Sequence, residues 1–157
     1  MLIPLNFPAY QIRTKTTDKK ILIFDSIRKK YVALTPEEWV RQHLINYLIT
    51  EKNCPAQLIS VETPLKYSRM NKRSDVIVSD RNGFPLLLAE CKAPEVDITQ
   101  KVFEQIAVYN MTIKAACMMV TNGLDHYCLL AASQDEPIRF LNEIPDYKTL
   151  LTFRTDA

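Results

Sequence analysis

Asp75, Glu90 and Lys92 are of the types, and at the spacing, that could do chemistry. They lie within KRSDVIVSDRNGFPLLLAECKAP, Lys72 to Pro94. Ser74–Ser79 (SDVIVS) and Leu86–Cys91 (LLLAEC) are apolar and favour strands. Asn82-Gly83 between them is a hairpin signal, since both residue types tolerate positive φ. Alternation puts Leu86, Leu88, Glu90 and Lys92 on one strand face, and Leu87, Ala89 and Cys91 on the other. A carboxylate at the end of such an apolar run is costly to bury without a purpose. The hairpin return would set Asp75 beside Glu90, so two carboxylates and an ammonium converge at one sheet end. Oxygen ligands of this kind suit Mg²⁺ or Mn²⁺. A divalent cation there polarises a phosphoryl oxygen and acidifies water, and the lysine can orient the nucleophile and offset phosphate charge. The chemistry is hydrolysis of a phosphodiester. On spacing alone, two surface carboxylates and an incidental lysine fit equally.

Other elements must position these groups. Residues 1–18 read as an irregular lead, and Ile21–Phe24 with Tyr31–Leu34 as a first hairpin. Thr35-Pro36-Glu37-Glu38 starts a helix, with Thr35 as N-cap, Pro36 in the first turn and Glu38 closing a capping box. Val40, Leu44, Tyr47 and Leu48 give its apolar stripe, and Glu37 shares a face with Val40, Arg41 and Leu44, hence leans inward. His43 has no ligand-spaced partner and reads as packing or surface. Leu58–Tyr67 reads as a strand bent at Pro64. Ser68–Arg73 is a basic link whose Lys72 and Arg73 could contact a phosphate backbone. Asp97-Ile-Thr-Gln100 reads as a second capping box, opening a helix to about Ile113. Gln105 and Tyr109 sit one turn apart on its half-apolar face; by spacing alone Tyr109 is core and Gln105 a boundary residue. Ala115–Thr121 and Tyr127–Ala132 form a hairpin across Asn122-Gly123. Ile138–Leu141 reads as an edge strand and Tyr147–Leu151 as a short helix.

At 157 residues, with 47% hydrophobic and 24% charged content, the chain fits one soluble domain. Its expected core is about 20–132, with 133–157 as an extension. Nothing approaches a membrane span, and MLIPLNFPAY lacks the basic start of a signal peptide. Cys54, Cys91, Cys117 and Cys128 have no metal-binding spacing and read as buried, reduced thiols of a cytoplasmic protein. The net charge of +2 hides an asymmetry: residues 1–73 carry +7 and residues 74–157 carry −5. A basic half fits a polyanionic partner. The run Arg28-Lys29-Lys30 by itself reads as a solvated turn.

Ser74-Asp75 with Glu90-Cys91-Lys92 resembles the PD-(D/E)xK nuclease signature, with Ser74 where that motif usually has proline. More particularly, the chain resembles the N-terminal nuclease domains of type I restriction enzyme motor (R) subunits. Such domains also carry a glutamate on an upstream helix and Gln-x-x-x-Tyr on the helix after the lysine, matched here by Glu37 (followed by Arg41) and by Gln105 and Tyr109. The resemblance covers about residues 20–125. It implies an α/β fold of restriction-endonuclease type, with a mixed central sheet flanked by helices in the order α-β-β-β-α-β. It further implies a Mg²⁺-dependent DNA endonuclease, with Asp75 and Glu90 on the metal and Lys92 positioning water. Glu37, Gln105 and Tyr109 would be auxiliary, and Gln105 would also touch DNA. The chain has no Walker A motif, so a motor or specificity partner is expected to be a separate protein. A binding or assembly module that keeps the fold without cutting is the alternative.

Overall fold

The computed structural model describes residues 2–64, 73–132 and 136–154, and the side chains of residues 62–64 and 73–75 lie outside that description. The elements run β1 (Thr14–Thr17), β2 (Lys20–Asp25), β3 (Lys30–Ala33), α1 (Pro36–Thr50), β4 (Ile59–Pro64), β5 (Arg73–Ser79) and β6 (Pro85–Cys91). They continue with α2 (Gln100–Ile113), β7 (Cys117–Thr121), β8 (His126–Leu130), β9 (Arg139–Leu141) and α3 (Tyr147–Phe153). From α1 to β7 this is the α-β-β-β-α-β order expected from the sequence. No helix among the described residues is long and apolar enough to cross a membrane.

Strands β4 to β9 form one mixed six-stranded sheet in sequence order. Only the β6–β7 pair within it is parallel. A parallel pair needs a crossover connection, and α2 provides it. Leu87, Ala89 and Cys91 of β6 face one core, with Val40, Leu44 and Leu48 of α1 and the fully buried Leu150 of α3. Ile77, Leu88, Met118 and Val120 face the other core, with Val102 and Ile106 of α2. Strand β6 is therefore buried on both faces and paired on both edges. The alternation in LLLAEC places Glu90 on the α2 side. All four cysteines are free and buried.

Strands β1, β2 and β3 form a separate antiparallel sheet. Residues 1–18 are thus not irregular throughout, since β1 lies within them. Its four residues are polar and fully exposed; only pairing with β2 makes them a strand.

The local capping and turn signals are realised in part. Thr35 Oγ1 accepts the Glu38 amide at 3.0 Å, as an N-cap should. The reciprocal half of that capping box is not made, because the Glu38 carboxylate is taken by Arg28, Arg41 and Gln42. At α2 the N-cap is Thr99, with no side-chain cap bond, so the box expected from Asp97 to Gln100 is absent. In the β5–β6 turn only Gly83 has positive φ, at 86°. Asp80 organises that turn: its Oδ1 accepts the amides of Asn82 and Phe84 at 2.8 and 3.0 Å. Burial pushes the Asp80 carboxyl up, but those amides and the paired Arg154 hold it below its usual range.

Candidate active site

The end of β6 collects the site residues. Val76 of β5 pairs with Ala89 of β6. Asp75 and Glu90 are the adjoining positions on those two strands, so they stand opposed at the same end of the hairpin, as alternation required. The Asp75 and Arg73 side chains, and Lys72 entirely, lie outside the described residues. Glu90 is nearly buried and Lys92 about a quarter exposed, with Lys92 Nζ 3.3 Å from Glu90 Oε1. The backbone of Lys92 is fixed as well. Its amide donates to the Thr121 carbonyl at 2.8 Å, one residue past the last β6–β7 pair, Cys91 with Thr121.

Helix α2 completes the arrangement. Lys92 Nζ donates to Gln105 Oε1 at 3.5 Å, and Gln105 Nε2 donates to the Tyr109 hydroxyl at 2.9 Å. Val102 and Ile106 are buried against the sheet. That contact orients the helix so that Gln105 and Tyr109, one turn apart, reach the strand end. Tyr109 also packs against the α2-side core. Carboxylate, ammonium, amide and phenol thus form one polar chain across two elements. The contacts to Glu90 and Gln105 use two of the three donors on the ammonium.

Behind Lys92, the β7–β8 turn is braced by a second set of bonds. The Thr121 hydroxyl lies 2.7 Å from His126 Nδ1 and accepts the Gly123 amide at 2.9 Å. His126 Nε2 lies 2.8 Å from the Asn6 carbonyl. Gly123 is required there. Its φ is 86°, and a Cβ would come within 2.7 Å of the Leu5 side chain. The support that Thr121 gives Lys92 has no local signature in the chain, because the β6–β7 register is set by long-range packing.

Helix α1 packs on the opposite face of the sheet, yet its first turn reaches the loop that follows Lys92. Pro36 and Trp39 share a hollow of about 180 Å³ with Pro94 and Glu95. The two adjacent glutamates exchange the roles expected of them. Glu37 does not lean inward: its side chain is 48% exposed and lies 3.7 Å from Arg41 Nη2. Glu38 is the buried one, at 6% exposure. Its Oε1 accepts from Arg41 Nη1 at 2.7 Å and Arg28 Nη2 at 3.0 Å, and its Oε2 from Gln42 at 2.9 Å. Arg28 also pairs with the fully buried Asp25, so it is not part of a solvated turn. Burial pushes the Asp25 carboxyl up, but Arg28 hydrogen bonds hold it below its usual range. The Tyr10 phenol is pushed up to about 12 by burial and by the Asp25 and Glu38 carboxylates. His43 is a packing residue, against the Trp39 and Tyr10 rings.

Among the described residues no three His, Cys, Asp or Glu side chains form a metal cluster; the Asp75 side chain is not among those residues. The donor set the backbone brings together, Asp75 and Glu90, is oxygen-only, which fits a hard cation such as Mg²⁺ and not a thiolate or imidazole metal.

No curated protein and no solved structure matches the chain. A family model described as type I restriction enzyme R protein N terminus (HSDR_N) matches residues 36–145, from the first residue of α1 to beyond β9. The match takes in Asp75, Glu90, Lys92 and the whole of α2, and leaves β1 to β3 outside. It covers well over half of the chain, which therefore belongs to the family of type I restriction enzyme R protein N-terminal domains.

Proposed function

We propose that this domain is a Mg²⁺- or Mn²⁺-dependent DNA endonuclease of PD-(D/E)xK type that hydrolyses phosphodiester bonds. The observation that carries the proposal is the chain Glu90–Lys92–Gln105–Tyr109, built on a central strand and the helix that follows it. A structural ion pair has no need of a polar relay on a second element.

In this reading Asp75 and Glu90 hold the cation, which supplies Lewis acidity toward a phosphoryl oxygen. Lys92 offers its remaining donor to the attacking water or the scissile phosphate. Gln105 aims the ammonium and Tyr109 fixes the Gln105 amide. Lys72, Arg73 and Gln105 contact the DNA backbone, and Glu37 borders the site from the first turn of α1. Membership of an R-protein family supports DNA as the polymer, and other restriction-modification subunits, motor or specificity, as partners.

Nicking of supercoiled plasmid by the purified protein tests this. Cleavage should require Mg²⁺ or Mn²⁺, stop with chelator and disappear in Lys92→Ala. DNA binding without cleavage under any divalent cation would replace the enzyme by a non-cutting module of the same fold.

A further inference from the structure

Residues 13–33, which span the three-stranded sheet, hold seven basic and two acidic residues, a net of +5 in a chain whose total is +2. One acid and one base, Asp25 and Arg28, cancel each other in the interior. Arg13, Lys15, Lys19, Lys20, Lys29 and Lys30 are all exposed, and among the described residues none of them forms an ion pair.

The register gathers these charges. Lys15 pairs with Leu22, Thr17 with Lys20 and Phe24 with Tyr31. By alternation Lys15, Lys20, Phe24 and Tyr31 therefore share one face, and Ile23 and Asp25 are buried on the other. On the outer face the Arg13 guanidinium carbon lies 4.3 Å from the centre of the Phe24 ring, and Lys15 Nζ lies 4.2 Å from that of Tyr31. The rings meet edge-on at 5.3 Å. Cations resting on ring faces are held in place while their outer N–H groups stay free. The sheet itself is anchored to α1 through Asp25, Arg28 and Glu38.

We infer that the Arg13–Lys15–Lys20 face of the three-stranded sheet is a DNA-backbone contact surface, separate from the nuclease residues and outside the family match. Charge complementarity commits the occupant: a regular array of phosphates, met by fixed cations with no competing carboxylate. The inference deepens the nuclease reading, on which it rests, by adding the surface that would hold the polymer while β6 acts on it.

The test is fluorescence anisotropy with a labelled duplex oligonucleotide, in chelator, across a salt series. For Arg13→Gln/Lys15→Gln/Lys20→Gln the slope of log affinity against log salt should fall by about two to three, near 0.9 for each phosphate no longer neutralised. Lys101→Gln/Lys148→Gln, elsewhere on the surface, should leave the slope as in wild type. If the triple variant melts early, Lys15→Gln and Lys20→Gln singly should each lower the slope by about one. An unchanged slope, an equal fall in the Lys101/Lys148 control, or no DNA binding by wild type each overturns the inference. The two readings fail distinguishably: plasmid nicking with an unchanged slope would keep the enzyme and remove the surface, and a lowered slope without nicking would do the reverse.

Discussion

The Lys92 ammonium lies 3.3 Å from the carboxylate of Glu90, its neighbour on the same strand face two residues earlier. The pair is nearly enclosed, so each charge depends on the other when no cation is bound. Lys92→Ala should therefore cost stability in chelator, by about 1–3 kcal/mol for the unmatched Glu90. Thermal melts of the two proteins in chelator check this.

Added Mg²⁺ should raise the melting temperature of the wild type, because the cation binds the folded state only. Asp75→Ala and Glu90→Ala should abolish that shift, since each removes a ligand. Lys92→Ala should keep it or enlarge it, with a positive neighbour gone, while nicking falls by about two orders of magnitude or more. Melts with and without metal, run beside the nicking assay, separate ligand from catalyst. A Lys92→Ala protein without the metal shift would contradict these roles.

The Tyr109 hydroxyl accepts the Gln105 amide, and its ring packs in the α2-side core. Tyr109→Phe keeps the ring and removes the acceptor. Cleavage should drop by about tenfold, the equivalent of one modest hydrogen bond, while the melting temperature moves little. Gln105→Ala should behave alike. A large loss of stability with full cleavage would make both residues structural.

Adjacent glutamates should differ sharply. Glu38→Ala strands Arg41 and Arg28 in or near the interior and should cost about 3–5 kcal/mol. Glu37→Ala removes one exposed carboxylate and should cost less than about 1 kcal/mol. Urea unfolding of both variants measures the contrast.

Burial holds His126 below its usual pKa, against the opposing pull of the Asn6 carbonyl and Asp125. The folded state therefore favours neutral imidazole. Its contribution is fully present above about pH 6.5 and is lost as pH falls through that value toward the folded pKa. The wild-type melting temperature should fall between pH 7.5 and 5 more steeply than that of His126→Gln. His43 is likewise lowered by burial but titrates in both proteins, so the difference isolates His126. Equal slopes would show that protonating His126 leaves its bonds to Asn6 and Thr121 intact.

Legibility follows the range of the forces involved. Thr35-Pro36 announces α1 because capping acts within one turn, and the alternation in LLLAEC puts Glu90 and Lys92 on one face because the strand period is fixed. Gln105 and Tyr109 are visible as neighbours by helical spacing, and the family resemblance turns them toward the lysine. The burial of Glu38 is hidden in the sequence because the groups around its carboxylate include Arg28, ten residues upstream. Strand β1 is equally hidden, because a polar, exposed segment becomes a strand only through its partner. The Asn82-Gly83 turn is legible, but its geometry is set by Asp80, whose bonds to the Asn82 and Phe84 amides outweigh the tolerance of Asn82 for positive φ.

Strand β6 has a hydrogen-bonded neighbour on each edge and a packed layer on each face. Inserting or deleting one residue between Pro85 and Glu90 would exchange Glu90 with Cys91 or Ala89 across the sheet. The carboxylate would then enter the layer beneath α1, and a core residue would stand beside Lys92. Length changes are thus closed to this segment, while the turn at Arg81–Gly83, exposed and touching nothing around Gly83, can absorb them. Variants selected for a new cutting behaviour should accumulate insertions in that turn and on the far side of Pro94, with point exchanges alone inside the strand.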